Sequence, residues 1–309
     1  MTPQRDVYFD CQVNGFGGVD FNTDGLSAED LRKVCELLRA DGADGVMATI
    51  ITAGETQMIS RIRRLVELRE RDDLVRRTIA GIHIEGPFIS PVDGYRGAHR
   101  LEAVREADPD LMQRLLDAVG GLPCIVTLAP ETDQNAKTVA MLNRAGAVVS
   151  AGHSNASIDQ MRRAIDNGLS MFTHLGNGCP MNMPRHDNII QRVLSLADRL
   201  CISFIADGVH VPYFALRNYL QRVGFGNAII VSDATAAAGL GPGTYSLEHW
   251  EFKVGEDLAA WAPDGSHLLG SAMPMSRVRR NLASDLKLTA QEIDGLTREN
   301  ARLAARVIR

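Results

Sequence analysis

The chain lacks a cysteine pair at ligand spacing, an excess of positive charge and any long apolar run. Each absence excludes something. The five cysteines, Cys11, Cys35, Cys124, Cys179 and Cys201, are odd in number and widely spaced. They predict reduced thiols rather than a disulfide framework or a zinc cluster. Four read as small buried hydrophobes, whereas Cys179 lies in a polar loop and stays open. The formal net charge of -5 argues against a binder of phosphate backbones, so no nucleic-acid partner is expected. No apolar run approaches the ~18–20 residues of a membrane span, so no membrane partner is expected either. The opening MTPQRDVYFD carries no apolar signal region and reads as that of a cytoplasmic protein.

What is present is an ordinary globular composition, with 309 residues of which 45% are hydrophobic and 23% charged. That suffices for a core without a disulfide or metal staple, and it excludes disorder as the main theme. Short β-type runs alternate with amphipathic helical patterns. The runs are Val7–Val13, Val46–Ile51, Thr78–Ile84, Pro123–Leu128, Ala147–Ser150, Leu169–Thr173, Cys201–Ile205 and Ala228–Val231. Between them, Leu31, Val34, Cys35 and Leu38 fall on one helical face behind a Ser27/Asp30 cap. Further helical stretches are expected around Ile59–Arg69 and over Asp110–Val119, Asp133–Asn143, Ile158–Ile165, Ile189–Ala197 and Tyr213–Arg222. Pro242–His267 reads as a loop with a small hairpin. Met275–Ser284, a helix opened by the Thr289/Glu292 capping box, and Asn300–Ile308 end the chain.

Eight apolar strands with crossovers predict a TIM-type (β/α)8 barrel. An open doubly wound sheet is the runner-up, but NGFGGVD after the first strand is not a G-x-G-x-x-G turn. A parallel barrel places its chemistry at the carboxyl ends of the strands. Glu85, His153, His174, Asp207 with His210, and Asp233 follow the third, fifth, sixth, seventh and eighth strands. Singly, each reads more readily as a cap or a loop hydrogen-bonder. Together, one carboxylate and two imidazoles form a three-ligand site of the catalytic zinc type, with an additional aspartate as general base. His83, one pleat below Glu85, reads as a deeper hydrogen-bonder. His99 lies on a glycine-rich loop beside the proposed metal, His186 lies in a loop, and His249 and His267 read as loop residues without a role.

The order of these segments resembles the N-acetylglucosamine-6-phosphate deacetylases of the amidohydrolase superfamily. The matching segments are GGVDFN (17–22), GIHIEGPFISP through GAH (81–99), TLAPE (127–131), AGHSNA (151–156), THLGN (173–177), DGVHV (207–211), SDATAAAG (232–239) and GSAM (270–273). The resemblance implies a metal held by Glu85, His153 and His174. It implies Asp233 as the catalytic acid–base and His99 as the contact to the substrate carbonyl. It also places Asn177, Gly178, Arg185 and His210 at the sugar phosphate and ring hydroxyls. It implies an amino-sugar substrate and a homodimer whose phosphate site is completed by the neighbour.

Three departures qualify this. Many amidohydrolases carry His-x-His after the first strand for a second metal, whereas this chain has Gln12-Val13-Asn14. Amides are poor zinc ligands, so one divalent metal per chain is expected. Zinc is the first choice, and iron, manganese, cobalt and nickel are compatible with the donors. The loop after THL reads Gly176-Asn177-Gly178-Cys179-Pro180, and the usual Arg-x-Pro-Gly becomes Arg185-His186-Asp187-Asn188. Asp187 could repel a phosphate, with His186 offsetting it. The expected function is therefore deacetylation of N-acetylglucosamine 6-phosphate. The alternatives are a deacetylase for another N-acetyl amino sugar or amide, and a non-catalytic sugar-binding barrel. Residues 1–309 are expected to form a single barrel domain without the β-sandwich that relatives usually carry.

Overall fold

The computed structural model describes residues 7–247, 250–265 and 268–307. Eight parallel strands form one sheet in sequence order. They are β1 (Tyr8–Val13), β2 (Ala43–Ile51), β3 (Ile79–Glu85), β4 (Cys124–Leu128), β5 (Val148–Ala151), β6 (Leu169–Phe172), β7 (Cys201–Ile205) and β8 (Ala228–Val231). Each lies within a few residues of its expected run, as the barrel reading requires. The helices between them are α1 (Ala28–Asp41), α2 (Glu55–Glu70), α3 (Asp73–Thr78), α4 (Pro109–Val119), α5 (Lys137–Arg144), α6 (Ile158–Asp166), α7 (Ile189–Ser195) and α8 (Tyr213–Val223).

The local reasons are visible in α4. Asp108 accepts the N–H groups of Asp110 and Leu111, Pro109 occupies the first turn, and Gly120 ends the helix in the left-handed region. Leu111, Met112, Leu115, Ala118 and Val119 form its buried face. One core lies between strands and helices. A second fills the barrel interior with Phe9, Met47, Ile125, Met171, Ile205 and Ile229. Ala301 and Ala305 close that interior from below. Arg298 and Arg302 anchor this end to Asp44 at 2.8 and 2.9 Å.

No ladder joins β8 to β1 among the described residues. An isolated Val13–Ala234 bridge closes the ring, with the Asn14 N–H donating to the Ala234 carbonyl at 2.8 Å. Below it, the Asp10 carboxylate accepts the N–H of Gln12 at 3.1 Å and that of Ser232 at 3.2 Å. Burial pushes Asp10 up to about 7, against the hydrogen bonds that favour its charge. The folded chain therefore holds this proton more tightly than the unfolded chain. The stability it contributes is complete below about pH 4 and lost as pH rises through 7. In metal-stripped protein, Asp10→Asn is thus expected to gain on the wild type between pH 4 and 8, by on the order of 4 kcal/mol at most. Denaturant titrations at several pH values check this, and parallel profiles would refute it.

Two expectations need correction. Pro242–His267 is more than a hairpin. Strands β9 (Gly243–Leu247), β10 (Trp250–Val254), β11 (Ala259–Trp261) and β12 (Leu268–Ser271) form a four-stranded antiparallel sheet. Its small core of Phe252, Val254, Ala260 and Leu269 packs on Ala237 and Ala272. The strands are short and separated by glycine and proline, so the sequence marks a hairpin there and not the full sheet. Helix α5 starts at Lys137 rather than Asp133, because Asn135 and Ala136 are left-handed and Asp133 caps Thr138 and Val139. After β12, α9 (Met275–Ser284) and α10 (Ala290–Asp294) with its Thr289 capping box follow as expected. A π-helical turn at Gly295–Glu299 precedes α11, which spans only Asn300–Ala304. All five cysteines are free, with Cys179 and Cys201 only half-buried. His249 and His267 lie outside the described residues. No helix among the described residues is long and apolar enough to cross a membrane.

Candidate active site

Glu85 is the last residue of β3, and His153, His174 and Asp233 each stand two positions after the end of a strand. These last three have φ of 50°, 35° and 48°. A left-handed residue breaks the extended path, so its side chain turns over the barrel mouth instead of continuing the strand's alternation. Such a conformation costs a non-glycine residue about 1–3 kcal/mol and persists only when neighbours hold it. They do. The His174 N–H donates to Ser203 Oγ at 2.7 Å, and the Ser271 N–H to the Asp233 carbonyl at 3.2 Å. Next to His153, Ser154 Oγ–H and the Asn155 N–H both donate to the Glu131 carboxylate at 2.6 Å.

The side chains converge on one oxygen. Glu85 Oε1 lies 3.2 Å from His153 Nε2, 3.0 Å from His174 Nε2 and 3.0 Å from Gln12 Nε2. His99 Nε2 is 3.3 Å from His153 Nε2. Burial would raise Glu85, but the bonds and charges of His153 and His174 hold it well below the usual carboxylate range. Burial would lower His174, but Glu85 outweighs it and the value rises. Burial, followed by the charge of His153, pushes His99 down to about 3, so that ring is neutral. Asp233 is raised by burial and by the charge of Glu85, and its Oδ1 accepts Asn14 Nδ2–H at 2.8 Å.

The donor set suits a divalent cation. His153 Nδ1 donates to the Tyr95 carbonyl at 3.0 Å, which leaves the lone pair of a neutral ring on Nε2. That lone pair faces the Glu85 oxygen, so a cation belongs between them, either a proton or a metal ion. Glu85, His99 and His153 bring their ligand atoms within 4.8 Å of one another. His174 reaches the same oxygen but falls outside that tighter group, and its buried Nδ1 has no hydrogen-bond partner among the described residues.

Beneath the cluster, His83 donates from Nδ1 to the Cys11 carbonyl at 2.9 Å and meets Thr127 Oγ1 at 2.8 Å. Thr127 continues to Thr173 and on to Ser150, each at 2.7 Å. His83 is thus the deeper hydrogen-bonder expected of it, and burial holds it below the ordinary histidine value.

The residues expected to meet substrate are less uniformly gathered. His210 Nδ1 lies 2.6 Å from Asp207 Oδ2, and Asp207 also accepts the N–H groups of Val209 and His210. Burial would raise Asp207, but these bonds bring it down. Asn177 has a buried Nδ2 without a hydrogen-bond partner among the described residues. Gly178 has φ of 57°, and a Cβ there would stand 2.8 Å from His153 Nδ1. Gly178→Ala is therefore expected to displace the His153 ring and weaken metal affinity about 10–100-fold, which competition with a chelator measures. Arg185 is exposed in its loop, as is His186. Asp187 is engaged by Arg192 at 2.6 Å, which lowers it and offsets the repulsion expected from its charge. Glu131 and Ser203 were missed as holders of the site. Glu131 follows the fourth strand, so the strand-end rule could have found it, whereas nothing local marks Ser203.

No family model matches the chain. Curated relatives do. It is 31% identical over 286 residues to the N-acetylglucosamine-6-phosphate deacetylase of Bos taurus, covering 89% of this chain and 67% of that one. It is 30% identical over 311 residues to the Danio rerio enzyme of the same name, covering 96% and 72%. Among solved structures, a mutant N-acetyl-D-glucosamine-6-phosphate deacetylase from Mycobacterium smegmatis, in complex with N-acetyl-D-glucosamine-6-phosphate, superposes with a TM-score of 0.87 at 29% identity. It covers 97% of this chain and 77% of that one. The Pasteurella multocida enzyme gives 0.85 at 28% identity, covering 97% and 76%. With the barrel, the strand-end cluster and these relatives in agreement, the chain belongs to the N-acetylglucosamine-6-phosphate deacetylase family.

Proposed function

We propose that the chain hydrolyses the acetamido bond of N-acetylglucosamine 6-phosphate, releasing acetate and glucosamine 6-phosphate. The convergence of His153 and His174 on Glu85, with Asn14-bound Asp233 at the same barrel mouth, carries this reading. Glu85, His153 and His174 would hold one divalent metal, zinc first, which supplies a Lewis acid and lowers the pKa of water. Asp233 takes the proton of the attacking water and returns it to the leaving nitrogen. Asn14 fixes Oδ1 of that carboxylate and leaves Oδ2 for the transfer. Neutral His99 donates an N–H to the carbonyl oxygen as negative charge develops there. Asn177, Gly178, Arg185 and His210 face the sugar and its phosphate, with Asp207 steadying His210. The reading takes residues 1–309 as one catalytic domain acting as a cytoplasmic homodimer. Family resemblance supports the homodimer alone, and sedimentation of the purified protein tests it.

A second reading keeps the chemistry and changes the sugar. The altered loop sequence over Gly176–Pro180 and Arg185–Asn188 favours it. Acetate release from a panel of N-acetyl sugars with and without the 6-phosphate, with metal content measured in parallel, separates the two. The first reading expects the phosphorylated sugar to be preferred by at least tenfold in kcat/KM, the scale of one lost charged contact. Equal rates would hand the case to the second.

A further inference from the structure

Arg192, on α7, touches both loops of the site. Its Nε donates to Asp187 Oδ1 at 2.6 Å and its Nη2 to the Asp187 carbonyl at 3.4 Å. Its Nη1 donates to Asn155 Oδ1 and the Ala156 carbonyl, each at 3.1 Å, and to the Asn155 carbonyl at 3.4 Å. The Arg192 side chain is 15% exposed and that of Asp187 is 81% exposed. The ion pair alone is therefore worth little. The semi-buried fork on main-chain oxygens is the stronger part of the contact.

Glu131 grips the same segment through Ser154 and Asn155, both at 2.6 Å. His153, with φ of 50°, is the residue just before that grip, and its own carbonyl accepts the Ser90 N–H at 2.9 Å. The loop on the other edge of Arg192 also carries Gly178, whose backbone lies against the His153 ring. The two loops therefore meet twice, once at the ring and once at the guanidinium.

We propose that Arg192 is a positioning residue that couples the substrate loop to the metal-binding loop by holding Asp187 and the 155–156 main chain in one planar fork. The proposal rests on the reading of His153 as a metal ligand. A bidentate fork explains why arginine stands here, because an ammonium has no fixed second edge with which to span both loops. It assigns Glu131 a matching task on the opposite side of the segment.

The test is zinc affinity, measured by chelator competition on purified protein without substrate. Arg192→Met keeps the alkyl stem and is expected to weaken zinc binding about tenfold, the scale of lost outer support for a ligand, and to raise KM. Arg192→Lys keeps the charge and is expected to remain weak. Asp187→Asn, at the exposed end, is expected to move zinc affinity by less than threefold. Glu131→Gln, which retains one acceptor oxygen, gives an independent arm and is expected to weaken zinc binding as well. A residue serving only the substrate loop would raise KM and leave zinc affinity alone. A merely structural residue would lower the melting temperature of the metal-free protein and move neither. Either result overturns the proposal, as does full rescue by lysine. His153→Ala is the control. If it binds zinc like the wild type, the ligand reading itself fails and the coupling fails with it. If it loses zinc while Arg192→Met keeps it, only the coupling fails.

Discussion

Asp233→Asn is expected to lower kcat by about 10²–10⁴-fold, the range for loss of a positioned acid–base. The fold and the metal should survive. The replacement is isosteric, and its amide can rotate to present oxygen to the Asn14 Nδ2–H that now meets Oδ1 at 2.8 Å. What it cannot do is accept a proton from water and deliver it to the departing nitrogen. KM should stay within a few-fold, because the carboxylate acts on the reacting atoms rather than on the sugar. Steady-state kinetics with metal content determined on the same samples check this. A fall of less than tenfold at full metal content would remove Asp233 from the proton path.

Glu85→Gln should strike the other half of the chemistry. One carboxylate oxygen receives Gln12, His153 and His174 within 3.2 Å. An amide in its place carries no charge, binds zinc poorly and presents either a single oxygen or an N–H to those partners. Loss of an outer supporting group costs about 10–100-fold in metal affinity, and loss of a charged ligand should exceed that upper figure. Metal content after dialysis is expected to drop from about one per chain to a trace, with activity following it. Added metal at high concentration should restore only part of the rate. Retention of tight metal binding would shift the ligand set towards the imidazoles alone.

The strands and the four central side chains were legible in the sequence for one physical reason. Buried parallel strands are short continuous apolar runs, and a polar residue directly after one stands out against them. Glu85, His153, His174 and Asp233 were found that way. The extent of the sheet over 243–271 was not, because its strands are only three to five residues long and Gly255, Pro263 and Gly265 interrupt the run. Gln12 and Asn14 were read as a second metal position without its ligands. Their geometry shows what the amides do instead, since Gln12 donates to Glu85 and Asn14 donates to Asp233. Periodicity says nothing about such contacts, which join residues 73 and 219 positions apart. The left-handed backbone at His153, His174 and Asp233 was equally invisible, because none is a glycine and the groups that bond them or their neighbours are distant in sequence.

The seam between the first and last barrel strands bears on how the enzyme comes into being. Asn14 leaves the first strand and Asp233 leaves the eighth, and the Val13–Ala234 bridge beside them shuts the ring. A chain emerging from the ribosome holds Glu85, His153 and His174 well before it holds Asp233. On the roles proposed above, such a half-made molecule would carry the metal ligands without the acid–base that cuts the amide. If Asp233 has the role proposed, hydrolysis requires that the two ends of the sheet have met, and the appearance of activity during refolding would date the closing of the barrel.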